Sequence, residues 1–228
     1  MANARMSRPR SSVASQRGLS LVELLVGFAV ALFVVIGSIV LLVDQLRDSR
    51  RLLLEARVHQ DLRAAADLIS RDLRRAGFWQ RTSTDRPNPY QDIATAGPED
   101  AASVRYSFSR DTLENDSIDP AEATGFRLGG DTLQTLNGAS WQAMTDPGTV
   151  RITHFSINPR VSVVPLGQFC TPACAAGTAG CPVLSLRSYV IVLRGRSATD
   201  AAVQREIRQT VRVRNDALPI GSCPASAA

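Results

Sequence analysis

The sequence predicts an α+β protein in which a long N-terminal α-helix, half of it transmembrane, packs on an antiparallel β-sheet with a disulfide-bonded C-terminal region. Three observations predict it. Leu19 to Val43 is an apolar run of 25 residues without Lys, Arg or Asp. A charged but periodic stretch continues the helix to Ala76. After Gly77 the period shortens to that of strands, and four cysteines crowd toward the C-terminal end.

Residues 1–18 form a leader that carries Arg5, Arg8, Arg10 and Arg17, has no acid and ends in Gly18. The run 19–43 gives roughly 37 Å of helix, enough to cross a hydrocarbon core of about 30 Å. Its one charge is Glu23, and an acid at membrane depth costs on the order of 3 kcal/mol near a helix centre. No Lys, Arg or His lies inside the run to offset it. A cut after Gly18 would make Leu19 a new ammonium terminus one helical turn from Glu23, or near the Glu23 of an adjacent copy. The alternatives are that Glu23 sits shallow in the headgroup region or takes up a proton.

Other targeting readings fit less well. A secretory signal has an apolar core of about 7 to 15 residues and a small-x-small cleavage site; this run is longer and Leu41-Leu42-Val43-Asp44-Gln45 offers no such site. A plain single-pass anchor needs no cut and stays open. Positive flanks do not orient the span, because the four leader arginines face Arg47, Arg50, Arg51 and Arg57 on the other side.

From Leu54, apolar residues recur at Val58, Leu62, Ala65, Ile69, Leu73 and Ala76, one stripe of a 3.6-period helix. Residues 44–76 are therefore an amphipathic continuation, and the whole from Leu19 to Ala76 would be a rod of roughly 87 Å. The Arg-rich stretch 47–86 reads as a solvated face laced with i,i+4 pairs, not as a surface for DNA or anionic lipid. Gly77 is a natural stop, with Arg74 and Arg75 at the carbonyl end of the helix dipole.

Residues 77–228 form the globular β-rich domain. The segment 80–102, with Arg86-Pro87-Asn88-Pro89, reads as a connecting loop. Alternating runs follow at 103–109, 125–128, 132–136, 150–157, 184–193 and 208–214. Gly129-Gly130-Asp131 and Asn137-Gly138 supply turn signals between them. One long helix followed by short strands implies an α+β body with the sheet over the helix.

Net charge is +5, but the leader holds four of the 26 basic residues, leaving 22 against 21 acids. The basic pI is thus mostly the leader's doing, and no nucleic acid is expected as a partner. Cys170, Cys174 and Cys181 lie in a Pro- and Gly-containing loop, and Cys223 near the end. The spacing suits disulfides better than a zinc site, and three pairings are open. If Cys223 is paired, at least one bridge ties the tail to the 170–181 loop.

Catalytic chemistry is not expected. His59 and His154 are far apart in sequence and without a nucleophile motif; no P-loop, dinucleotide fingerprint or HExxH occurs. The acidic patch Asp111, Glu114, Asp116, Asp119, Glu122 lacks the spacing of a calcium loop and reads as a solvated loop. No metal and no cofactor are expected.

The processing-type sequence Gly18-Leu19-Ser20-Leu21-Val22-Glu23 resembles that of type IV pilin-like prepilins. Asp72-Leu73-Arg74-Arg75-Ala76-Gly77-Phe78-Trp79 and Gln209-Thr210-Val211-Arg212-Val213-Arg214-Asn215 extend the resemblance to the PilW-type minor pilins. It implies cleavage after Gly18 and N-methylation of Leu19 by a prepilin peptidase, with Glu23 aligning subunits during assembly. It also implies a cytoplasmic leader, an inner-membrane anchor, a periplasmic domain and a later place at the pilus tip. Partners implied are other minor pilins, the major pilin and a tip adhesin, in priming of type IV pilus assembly. The lack of a helix-softening proline favours a minor pilin over a bulk fibre subunit. A type II secretion pseudopilin shares the same design and remains open, as does a membrane-anchored binding module.

Overall fold

The structure is a computed structural model that describes residues 18, 20–81, 86–99, 102–216 and 223. The expected leader segment 1–17 and Leu19 lie outside the described residues. The long helix is continuous in secondary structure, α1 at Leu21–Leu73, but the chain divides into two compact units, Met1–Arg50 and Arg51–Ala228. Each is described by itself.

In the first unit every described residue is exposed, including the apolar side chains from Leu21 to Val43. The Ser20 carbonyl accepts the Leu24 N–H at 3.1 Å, which opens the helix. Ser38 Oγ returns a bond to the Val34 carbonyl at 2.8 Å, a local way for a helix to satisfy a hydroxyl. Burying each of these Leu, Val, Ile or Phe side chains is worth about 1.5–3 kcal/mol, so a stretch left this bare calls for lipid or neighbouring helices.

In the second unit the rest of α1 buries one stripe. Val58, Leu62, Ala65, Ile69, Leu73 and Ala76 are all in the core, with Leu54 partly buried against it. Eight strands follow: β1 Ile93–Ala96, β2 Ser103–Ser107, β3 Ala123–Gly129, β4 Thr132–Asn137, β5 Ser140–Ala143, β6 Val150–Pro165, β7 Val183–Ser197 and β8 Gln204–Arg212. All pairings are antiparallel. They form two sheets and not one, in orders β1-β2-β3-β4-β5 and β6-β7-β8. Val104, Tyr106, Phe126 and Leu133 of the first sheet and Ile152, Phe155, Ile191, Leu193 and Val211 of the second enclose the helix stripe in a common core.

The expected turns close two hairpins: Gly129 pairs with Thr132 and Asn137 with Ser140. Other expectations need correction. The 80–102 loop contains β1, whose Ile-Ala-Thr-Ala sequence is too short and small to signal a strand. The same holds for β5, a four-residue edge strand. β6 runs to Pro165, not Ile157, because it is the edge strand of its sheet and an edge tolerates Pro159 and its missing N–H. β8 begins four residues early, at Gln204, where Arg205 reaches across to pair with Glu55 of α1.

Candidate assembly site

The apolar half of α1 presents Glu23 in its first turn. Among the described residues Glu23 has no cation within ion-pair distance. Gly18 is exposed, with nothing else described within 4 Å of where a Cβ would stand. Leu19 lies outside the described residues, so the geometry of the cut itself is not seen. Glu23 and Gly18 are therefore placed, the one on an exposed helix turn and the other just ahead of it.

At its other end the helix is closed by residues from the far end of the chain. Gly77 takes φ +74°, a left-handed C′ position that favours glycine, and its N–H donates to the Ser107 carbonyl at 3.0 Å. Of the carbonyls at the helix end, Arg75 O accepts the Phe78 N–H at 3.0 Å, and those of Arg74, Ala76 and Gly77 find partners outside the helix. Arg214 N–H donates to Arg74 O at 3.2 Å, and Asn215 Nδ2 donates to Arg75 O at 3.3 Å and Ala76 O at 3.0 Å. Asn88 Nδ2 donates to Gly77 O at 2.8 Å. Arg187 then holds this C-terminal segment, donating from Nη2 to Asn215 O at 2.9 Å and from Nη1 to Gln91 O. Two segments about 140 residues apart, 72–79 and 209–215, thus form one cap. The sequence marked both segments without showing that they meet.

Below the cap lies a buried polar knot. Glu122 is 1% exposed and accepts from the Arg110 N–H at 2.8 Å and the Asp119 N–H at 3.0 Å. The Tyr90 hydroxyl, fully buried, faces Glu122 at 3.0 Å, Glu114 at 3.0 Å and the Ser117 carbonyl at 3.1 Å. Burial first, then the two carboxylates, push the Tyr90 phenol well above its ordinary value. Burial works to raise Glu114, but bonds from the Asp116 N–H, Tyr90 and the Gln80 N–H hold it below the usual carboxylate range. Asp116 receives Trp79 Nε1 at 3.0 Å and pairs with Arg86 at 3.2 Å and Arg81 at 3.7 Å. The expected solvated loop is thus corrected in part: Glu114, Asp116 and Glu122 are committed to structure by donors on Tyr90, Trp79 or backbone, while Asp119 stays exposed and accepts from Asn115 Nδ2 at 3.2 Å. Asp111, Asp119 and Glu122 bring carboxylates within 4.8 Å of one another, a set that could hold a hard cation, but Glu122 has its donors already.

The cysteines pair as Cys170–Cys223 and Cys174–Cys181, which selects one of the three open pairings. The loop they staple begins at a 3₁₀ turn, Gly167–Phe169, and Gly167 has no room for a side chain: a Cβ there would lie 2.1 Å from Cys174 O and 2.5 Å from Cys181 Sγ. His59 is exposed on α1 and His154 is half-buried on β6 opposite Arg194.

Among solved structures, the type IV-like pilin TTHA1219 from Thermus thermophilus is similar at 12% identity, with a TM-score of 0.41, over 70% of this chain and 97% of that one. No curated protein sequence matches the chain. Residues 51–213 match the family described as PpdB, prepilin peptidase-dependent protein B. That match covers more than two thirds of the chain, which therefore belongs to the prepilin peptidase-dependent protein B family and is a pilin-like structural protein, not an enzyme.

Proposed function

We propose that this chain is a PilW-type minor pilin that primes type IV pilus assembly. Its leader is cut after Gly18, its helix 19–43 anchors it in the inner membrane with the globular domain in the periplasm, and it is then drawn into the filament tip. The observation that carries the reading is the bare apolar helix from Leu21 to Val43 with Glu23 as its only charge. Moving such a helix from lipid into a bundle of like helices gains packing, and an acid there needs a cation. The ammonium made at Leu19 by the cut is that cation, and pairing Glu23 of one subunit with Leu19 of another sets the axial register. Family membership supports the peptidase step, since the family is described as prepilin peptidase-dependent. Other minor pilins, the major pilin and a tip adhesin are the partners on this reading.

Mass spectrometry of the mature N-terminus tests it, the expected species beginning with a methylated Leu19. Protein in shed fibres that still carries residues 1–18 would overturn it. Glu23→Ala should insert into the membrane normally yet support few or no pili; wild-type piliation would remove Glu23 from the mechanism. Recovery with secretion-system subunits instead of pilus subunits would move the assignment to a pseudopilin.

A further inference from the structure

Residues 161–186 hold 26 consecutive positions without Asp, Glu, Arg, Lys or His, in a chain that is 21% charged. The fold gathers them into one feature. β8 pairs β7 only from Ser188 to Arg196, so among the described residues β6 and β7 run on beyond Arg187 as a two-stranded ribbon that ends in the stapled loop. Val161 and Val163 on this ribbon are 59% and 58% exposed, and Phe169 at its end is 74% exposed. Directly behind stands a cationic collar. Arg160, Ser188 and Arg212 are in register across the three strands, hence on one face, and Arg214 follows two residues on. Arg74, Arg212 and Arg214 line a common concavity with Val213. The acid paired there is Asp216, 2.8 Å from Arg212.

We propose that this ribbon tip docks on an anionic phospholipid surface, with Phe169 at its end entering the headgroup boundary and Arg160, Arg212, Arg214 and Arg74 meeting lipid phosphates. Charge complementarity and the uncharged tip together select the occupant. A nucleic-acid duplex would use the collar alone, and an apolar protein groove the tip alone. An anionic bilayer takes both, since apolar insertion and phosphate attraction add in interfacial binding. The two disulfides hold the tip in one shape beforehand, which lowers the ordering cost of docking. The inference does not depend on the role in filament assembly.

The test uses the full chain held in phosphatidylcholine nanodiscs and asks whether it floats with vesicles of phosphatidylcholine alone or with added phosphatidylglycerol. Flotation is expected with the anionic vesicles and should weaken with salt. The combined Arg160→Gln, Arg212→Gln, Arg214→Gln variant should bind on the order of a hundredfold more weakly, about fivefold per arginine. A Phe169→Trp variant with all arginines present gives a second reading: blue-shifted emission, above the background of the native tryptophans, and quenching by brominated anionic lipid. Disulfide mapping and thermal melts check that each variant is folded. Equal flotation with both vesicle types, none with either, or undiminished binding by the triple variant would overturn the proposal. Binding of a DNA duplex or an acidic protein without binding of anionic vesicles would overturn it as well.

Discussion

Tyr90 has one hydroxyl proton and three acceptors, from Glu122, Glu114 and the Ser117 carbonyl, so its removal is felt at once by a buried carboxylate. At neutral pH, Tyr90→Phe should cost about 1–3 kcal/mol, the toll of leaving a buried polar group short of a partner. The variant also has a signature in alkali. Burial, with help from neighbouring carboxylates, pushes Tyr90 and Tyr106 well above the ordinary value of 10.0, and burial raises Tyr189 too. In the unfolded chain all three ionise near that ordinary value. The folded state then keeps protons that the unfolded state loses, so stability is whole below about pH 10 and falls as pH rises toward the folded values, by about 1.4 kcal/mol per unit for each tyrosine. Urea unfolding at pH 9 and 11 should show a shallower fall for Tyr90→Phe than for the native chain; an unchanged slope would mean that Tyr90 does not keep its proton through folding. Asn215 acts by the same logic at the helix end. Asn215→Ala strips a donor from the Arg75 and Ala76 carbonyls, with an expected loss of about 1–2 kcal/mol in the same assay. The sequence marked Asn215 only as part of the 209–215 segment and Tyr90 not at all, because the partner of each lies 24 to 140 residues away and a polar residue in a loop looks the same whether buried or wet.

At the scale of elements, what was legible was what repeats. The stripe from Val58 to Ala76 could be read because a helix shows its buried face every three or four residues, and all of its members are buried. The two hairpin turns were legible because Gly-containing pairs specify their own backbone. The short β1 and β5 were not, since four residues make too little pattern, and the length of β6 was hidden by Pro159, which only its edge position excuses. The stapled loop after β6 was read as a loop, but the reason for the first of its glycines was invisible: Gly167 lies under the Cys174–Cys181 bridge. Gly167→Ala would drive a methyl into Cys174 O and Cys181 Sγ, contacts that backbone and disulfide cannot yield cheaply. Lower yield of correctly paired protein is expected, together with a melting temperature several degrees below the native one, on the scale of 1–3 kcal/mol for an overpacked site. Disulfide mapping by mass spectrometry checks the first and a thermal melt the second. A variant with native pairing and native melting would show that the loop can move aside.

On the scale of the whole molecule, the second unit has its long helix, two sheets and C-terminal tail joined by few covalent constraints, and the largest is Cys170–Cys223, which closes 53 residues of sequence. Cys174–Cys181 closes only seven. Because loop-closure entropy grows with the logarithm of length, the two bridges should restrict the unfolded chain unequally, by about 4 kcal/mol for the long loop and about 2.5 kcal/mol for the short one. The long bridge does more than shorten the unfolded chain. Its tail begins just past Asn215 and Asp216, so an intact bridge also limits how far the helix cap can fray, since Arg187 and Asn215 hold the segment that leads to Cys223. Two variants separate these effects: Cys170→Ser with Cys223→Ser removes the long bridge, and Cys174→Ser with Cys181→Ser removes the short one. The first should lose more stability in urea than the second. It should also speed amide exchange at Asn215 and Arg214, where the Arg214 N–H bonds Arg74 O, while the second should leave exchange there unchanged. Equal losses, or loosening of the cap by the short-bridge variant, would mean that tail and helix end are held by their hydrogen bonds alone, without help from the covalent tether.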